Sequence, residues 1–427
     1  MNEYIDLLRN NRNYRNLWLG SVITQLGDWF NLIASAERLT QITDTGTAVS
    51  ALFLARFLPL FLFSPLAGVI ADKYDRKQIM VFTDVLRAFI VLGFLFVREP
   101  QHVWLLYGLT VFQFSMSALF TPARTAVLAN IVRPDELVKA NALDSLTWST
   151  MLALGAFLGG VVAAIFGADT AFVMDAFTFL LSAWVLSRIQ ITVERDVALG
   201  SGWLELFEGL GYLWREPLLL MIVLAKAVGS LVWGGINVLE ISFAHEVFPL
   251  HVPAWQQTLN IENAGTAALG VIYVMTGLGT GLGPILIRYW LKDVPQRMLW
   301  TISASMGLMV GGIFVIGLAP TFSLFLLGTL IRTVGTGAVW VFSAALLHLL
   351  VPDRYRGRVF AFEFAMLTLT QSISILAAGL LQDTAGWHVS QVTLVIATCG
   401  VVVFAIWMTL HLVNRTALER RVAQAPI

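Results

Sequence analysis

The sequence predicts an all-α membrane protein in which twelve transmembrane helices form two six-helix bundles. Three observations carry that prediction. The chain is 57% hydrophobic and only 13% charged, against roughly 25% charged in a soluble domain. A water-soluble core cannot hide so much apolar surface, whereas lipid solvates it. Its lysines and arginines gather on alternate sides of the apolar segments, as expected where short cytoplasmic loops retain basic residues. Finally, one long charged connection leaves six apolar segments on either side of it.

A spanning helix needs about 20 mainly apolar residues. In the first half such stretches run near 16–38, 47–71, 77–97, 102–128, 141–166 and 171–190. Arg9, Arg12 and Arg15 precede the first; Lys73, Arg76 and Lys77 follow the second; Arg133 and Lys139 follow the fourth. Arg188, Arg195 and Arg215 fill the middle. In the second half the stretches run near 218–244, 261–288, 298–318, 321–350, 357–382 and 388–413. Their basic groups are Arg288, Lys292 and Arg297, then Arg354, Arg356 and Arg358, then Arg415, Arg420 and Arg421. Arg98 is the clear exception to the alternation. An even number of spans places both termini on the cytoplasmic side.

The domain plan follows. An N-terminal bundle is expected over 1–190, a cytoplasmic linker over 191–216, a C-terminal bundle over 217–414 and a cytoplasmic tail over 415–427. Within the linker, residues 203–214 read as an amphipathic helix at the interface. The apolar stretch from Leu17 is long enough to remain as a span, so no cleaved signal peptide is expected. Formal net charge is zero, which argues against a nucleic-acid partner. Cys399 is the only cysteine, which excludes an internal disulfide and a cysteine metal cluster. No cofactor or metal is expected.

The connection after the second span reads Gly68-Val-Ile-Ala-Asp72-Lys73-Tyr74-Asp75-Arg76-Lys77. It resembles the major facilitator superfamily motif G-x-x-x-D-[R/K]-x-G-[R/K]-[R/K], with Asp75 in place of glycine. Asp75-Arg76 there is more typical of the bacterial enterobactin and macrolide efflux exporters. Leu26-Gly27-Asp28-Trp29, Ala55-Arg56-Phe57-Leu58-Pro59, Asp84-Val-Leu-Arg87 and Thr121-Pro122-Ala123-Arg124 support that subgroup. Val132-Arg-Pro-Asp135 is echoed by Val351-Pro-Asp353, as expected of two repeated halves. The resemblance implies the major facilitator fold in a bacterial inner membrane.

The motif also has a physical reading. Gly68 permits close helix approach where lipid gives no driving force for packing. Asp72 falls at the negative end of a helix dipole, where a carboxylate needs a partner. Arg124 is the preferred one, in a pair that closes the cytoplasmic side and breaks on opening. Lys73, Arg76 and Lys77 suit anchoring to headgroups. In the fifth span, Gly155-Ala156-Phe157-Leu158-Gly159-Gly160 is similar to the G-P-x-x-G-G stretch of facilitator antiporters. Ala156 replaces proline, so the kink should be weaker, because alanine keeps its backbone hydrogen bond.

Charges inside a membrane cost ~2.5–3.5 kcal/mol each on insertion scales, so each needs a partner or a wet cavity. Asp28 in the first span and Arg56 in the antiparallel second lie at comparable depth, which makes them the candidate proton-coupling pair. Asp84 and Arg87 neutralise each other across one turn. Asp144 is expected near the cytoplasmic interface and Asp175 nearer the outer one. Lys226, Glu240, Arg332 and Glu363 are the ionic groups of the second half; Lys226 can pair with Glu363 or with Glu240. Trp29, Phe30, Trp148, Trp233 and Asn237 are the candidate cavity lining, suited to amphipathic organic cargo whose burial yields ~25 cal/mol per Å2.

No G-x-x-x-x-G-K-[ST] phosphate loop occurs, so an ATP-driven pump is disfavoured. The six histidines are scattered, so an integral membrane enzyme is set aside. What remains is a monomeric secondary transporter whose partners are a small molecule, protons and the bilayer. It is expected to export drug-, macrolide- or siderophore-like compounds by alternating access and proton antiport. A lysophospholipid-moving facilitator is the alternative.

Overall fold

The computed structural model describes residues 2–43, 45–133, 136–190, 211–250, 263–291 and 294–424. The linker segment 191–210, with most of its expected amphipathic helix, therefore lies outside the described residues. The chain is helical throughout what is described. It begins with α1 (Asn2–Asn10), α2 (Arg12–Ile42), α3 (Gly46–Lys73), α4 (Arg76–Gly93), α5 (Val103–Ile131) and α6 (Leu137–Ser187). It continues with α7 (Pro217–Ser242), α8 (Ala264–Leu291), α9 (Pro295–Gly317), α10 (Phe322–Leu350), α11 (Asp353–Asp383) and α12 (Val389–Gln424). α12 thus carries helical structure well into the expected tail.

Several starts have a local cause. Asn11 caps α2 by accepting the Tyr14 amide at 2.9 Å, and Asp75 caps α4 by accepting that of Gln78 at 2.9 Å. Such side chains satisfy amides that have no partner within the helix. Pro217 and Pro295 open α7 and α9, where the missing N–H costs nothing. Asp75, out of place in the glycine position of the motif, thus acts as a helix cap.

Among the described residues ten helices are long and apolar enough to cross a membrane. One of these, α6, holds two crossings. It is interrupted at Gly167, whose φ of 77° and ψ of 165° belong to a region that essentially only glycine enters. The expected loop between the fifth and sixth spans is therefore a single-residue break. α2 is not among the ten, because Gln25, Asp28, Asn31, Glu37 and Arg38 lower its hydropathy. It is nevertheless 31 residues long, and its stretch from Phe30 to Leu39 is buried throughout. Asn31, Glu37 and Arg38 there are packed against protein. With α2, the crossings among the described residues number twelve.

The described residues fall into two units. One takes in Met1–Asp44, Leu58–Gly202 and Pro249–Val274; the other takes in Thr45–Phe57, Trp203–Phe248 and Met275–Ile427. In the first, Tyr14, Leu17, Met80, Val127, Leu128, Leu186 and Ile189 form an apolar core at the end where α2 and α4 begin. Tyr14 is fully buried there, and its hydroxyl donates to the Ala140 carbonyl at 3.2 Å. In the second, Leu219, Ile222, Ile302, Phe342, Leu346 and Trp407 form the corresponding core. α3 and α8 each divide between the units: α3 begins in the second, α8 in the first.

Candidate functional site

The first unit holds a buried ionic centre built by four helices. Arg87 of α4 pairs with Asp84 one turn before it, and both are sealed, at 2% and 0% exposure. Ser182 of α6 donates to the other Asp84 oxygen at 2.7 Å, and Arg87 donates to Ser117 of α5 at 3.2 Å. The guanidinium lies 4.7 Å from the Phe120 ring and 4.5 Å from that of Phe179. An arginine between two ring faces is held by their quadrupoles as well as by its acid.

Asp28 lies on α2, half-buried, within electrostatic reach of Asp84. Its neighbour Gly27 explains how a third acid approaches. A Cβ added at Gly27 would lie 2.3 Å from Asp175 Oδ1 and 2.0 Å from Thr178 Oγ1. Only glycine lets α6 press these groups against α2. Asp175 is fully buried, and the Thr178 hydroxyl donates to its carbonyl at 2.7 Å. Asp28, Asp84 and Asp175 are thus brought inside this unit from α2, α4 and α6. Arg56, the cation expected opposite Asp28, is buried on the part of α3 that belongs to the second unit.

The motif after α3 is partly visible. The packing of Gly68 and the side chain of Asp72 lie outside what is described, and the expected Asp72–Arg124 pair with them. Arg124 bonds Asp144 at 2.7 Å and Ser21 at 2.6 Å, tying α5 to the start of α6 and to α2. Lys73 is exposed and sits 5.8 Å from the Tyr74 ring, while Arg76 and Lys77 are half-buried at the start of α4.

The glycine run of α6 meets two helices. A Cβ at Gly155 would lie 2.9 Å from the Trp29 ring, and one at Gly159 would lie 3.1 Å from the Phe30 ring. At Gly160 it would come within 3.0 Å of the Gly270 Cα in α8. Trp29 also packs on Tyr273, ring centroids 5.4 Å apart. Phe30 is 3% exposed and Trp233 6%, whereas Trp148 is 48% exposed; Asn237 is half-buried. Phe30 and Trp233 are packed residues here, and Trp148 is an open one.

The second unit has two ion pairs on α7. Lys226 bonds Glu363 of α11 at 3.0 Å and lies 4.6 Å from the Trp340 ring of α10. Glu240 pairs with Arg332 of α10, both essentially without exposure. Lys226 and Glu240 are fourteen positions apart, which separates the pairs by ~21 Å along the helix. The Glu240 end is prolonged by a π-turn over Phe243–Val247.

Three arrangements escaped the sequence reading. Asp383 ends α11 and accepts from the Gly46 amide at 2.8 Å, the Thr47 amide at 2.7 Å and the Thr47 hydroxyl. α3 is therefore capped by a carboxylate from another helix, favourable at the positive end of its dipole. Behind it, a Cβ at Gly379 would lie 2.1 Å from Ser50 Oγ. Asp169, two residues beyond the α6 break, bonds both Arg38 and Arg98, the latter at 2.8 Å. Arg98, the exception to the basic alternation, thus has a local acid. His411 and Trp407 of α12 both bond the Ser303 hydroxyl of α9, at 2.6 and 2.8 Å. Only the odd placement of Arg98 hinted at these.

These features of a polytopic helical protein agree with comparisons to known proteins. The family model described as Major Facilitator Superfamily matches residues 17–331. A putative bacilysin exporter of Bacillus subtilis (strain 168) is 22% identical, over 96% of each chain. Macrolide efflux protein A of Streptococcus pyogenes is 24% identical, over 90% of this chain and 93% of its own. Among solved structures, the nucleoside transporter NupG superposes with a TM-score of 0.70 at 11% identity, covering 93% of this chain and 98% of that one. That likeness concerns the fold.

Proposed function

This chain belongs to the Major Facilitator Superfamily, and on that premise we propose that it exports amphipathic or hydrophobic small molecules in exchange for protons. The cargo class is that of drugs, macrolides or siderophores. The protein acts as a monomer in a bacterial inner membrane, with both termini in the cytoplasm. Similarity to a macrolide efflux protein and to a putative bacilysin exporter over nearly whole chains supports outward transport.

The observation that supports proton coupling is the set of acids that α2, α4 and α6 bring into the interior of the first unit. Asp84 is committed to Arg87, while Asp28 and Asp175 lie on either side of the Gly27 contact. Keeping several carboxyl groups ionised within a membrane interior is costly. Taking up a proton relieves that cost without breaking the Asp84–Arg87 pair. Asp28 is the half-buried member and so the one water reaches. We assign it the proton. Its protonation from outside releases cargo, and inward opening breaks Asp72–Arg124.

Asp28→Asn tests this assignment in vesicles carrying an imposed pH gradient. Gradient-driven transport should fall to the level of protein-free vesicles, while exchange of labelled for unlabelled cargo at equal pH persists. Unchanged gradient-driven transport removes Asp28 from coupling. Loss of both activities indicates a structural role.

A further inference from the structure

A cavity of about 510 Å3 opens at the end of the first unit that its basic residues assign to the cytoplasm. It is lined by Leu7, Asn10, Asn11, Arg12, Asn13, Arg133, Glu136, Arg188 and Gln190. Its walls are tied together. Asn11 donates to the Ile131 carbonyl at 2.6 Å, at the end of α5. Asn13 donates to the Gln190 carbonyl at 2.7 Å and accepts the Gln190 amide at 3.0 Å, just past α6. Leu7 of α1 is anchored in the apolar core at 4% exposure. These bonds bring three arginines from three separate elements around one space.

Topology asks only that arginines lie on this side of the bilayer. It does not ask that they converge. Arg133 is engaged with Glu136 at 2.7 Å, and that bond holds the Glu136 carboxyl below its ordinary range. The acid is therefore spent on Arg133. Arg12 and Arg188 meet no carboxylate among the described residues, and Arg188 instead stacks on the Trp184 ring at 3.7 Å. α2 begins at the same place with no acidic residue in its first turn, while α1, α5 and α6 end there, so the helix dipoles largely offset one another and the positive field comes from the arginines. Two guanidiniums and the side-chain carboxamides of Asn10 and Gln190 together suit an oxyanion that accepts several bonds.

We propose that this cavity binds a phosphate-bearing anion, supplied either as the headgroup of an anionic phospholipid of the inner leaflet or as free phosphate. Trp184 is 53% exposed beside Arg188, a pairing that suits the headgroup level of a bilayer. Bound there, the anion bridges α1, α2, the α5–α6 connection and the end of α6.

The test follows thermal unfolding of the full-length protein in neutral detergent, by tryptophan fluorescence. Phosphatidylglycerol, phosphatidylcholine and inorganic phosphate are titrated separately. The melting temperature should rise saturably with phosphatidylglycerol but not with phosphatidylcholine. Half-saturation should move about tenfold upward in Arg12→Gln and again in Arg188→Gln, as for one charge-assisted bond each. Arg215→Gln, an exposed cytoplasmic arginine outside the cavity, should leave it unchanged. A response to inorganic phosphate that is lost in the same two variants identifies free phosphate as the source; a response to the lipid alone identifies the headgroup. Equal responses in native protein and both cavity variants, an equal response to phosphatidylcholine, or no response in the native protein would overturn the proposal.

Discussion

Arg332→Met is expected to lower the unfolding free energy by about 3–5 kcal/mol, the usual consequence of stranding one member of a buried ion pair. Arg332 is 2% exposed and Glu240 fully buried, so water cannot replace the lost partner. The second carboxylate oxygen of Glu240 already makes no hydrogen bond in this structure, and the substitution would leave both without one. Glu240→Gln should be milder, because a neutral amide still offers an acceptor to the guanidinium. The double variant should lose less than the sum of the two single losses, since it leaves no unpaired buried charge. Denaturant unfolding in detergent, arranged as a double-mutant cycle, checks the prediction. Simple addition of the two single losses would show that the pair is not energetically coupled.

This pairing also shows what the sequence can and cannot specify. Lys226 lies nine residues into α7 and Glu363 ten into α11, so equal depth alone favours the partner that the structure displays. Glu240 and Arg332 fail the same comparison. Glu240 is two residues from the end of α7, whereas Arg332 is ten from the start of α10. The π-turn at Phe243–Val247 prolongs α7 beyond Glu240 and leaves it deeper than its α-helical boundary suggests. A change from α to π geometry leaves little mark on hydropathy, so this pair was not legible.

The spans were legible because lipid imposes one length on every crossing and loops keep basic residues on one side. Even α2, with Asp28, Glu37 and Arg38 inside it, stood out from its flanks. The break in α6 was read too long, since a single glycine at positive φ suffices where two spans otherwise look separate. The cap of α3 was invisible for a different reason. Its acceptor, Asp383, is 337 residues from Gly46, and no local pattern encodes a partner supplied by another helix.

The glycine run of α6 gives the second large effect. Gly160→Val is expected to cost about 1–3 kcal/mol, as overpacking of a well-filled interior does, and to slow transport at unchanged membrane expression. The reason is that the nearest atom is backbone: a Cβ at Gly160 would stand 3.0 Å from the Gly270 Cα, and backbone cannot rotate aside. The reverse substitution is gentler. A Cβ at Gly270 would stand 3.5 Å from the Gly160 Cα, an ordinary contact, so Gly270→Ala should stay within about 0.5 kcal/mol of native. Thermal unfolding and initial transport rates of Gly160→Ala and Gly270→Ala, which add the same methyl group, check this asymmetry. Equal tolerance at both positions would mean that the two helices are not held in this close approach.

The exchange of cargo for protons is tested most directly in inside-out membrane vesicles loaded by respiration. A labelled amphipathic cargo should accumulate against its gradient while the interior is acid, and a protonophore should release it within the time of gradient collapse. Accumulation that survives the protonophore would contradict proton antiport, and would favour a lipid-moving or otherwise gradient-independent facilitator on the same scaffold.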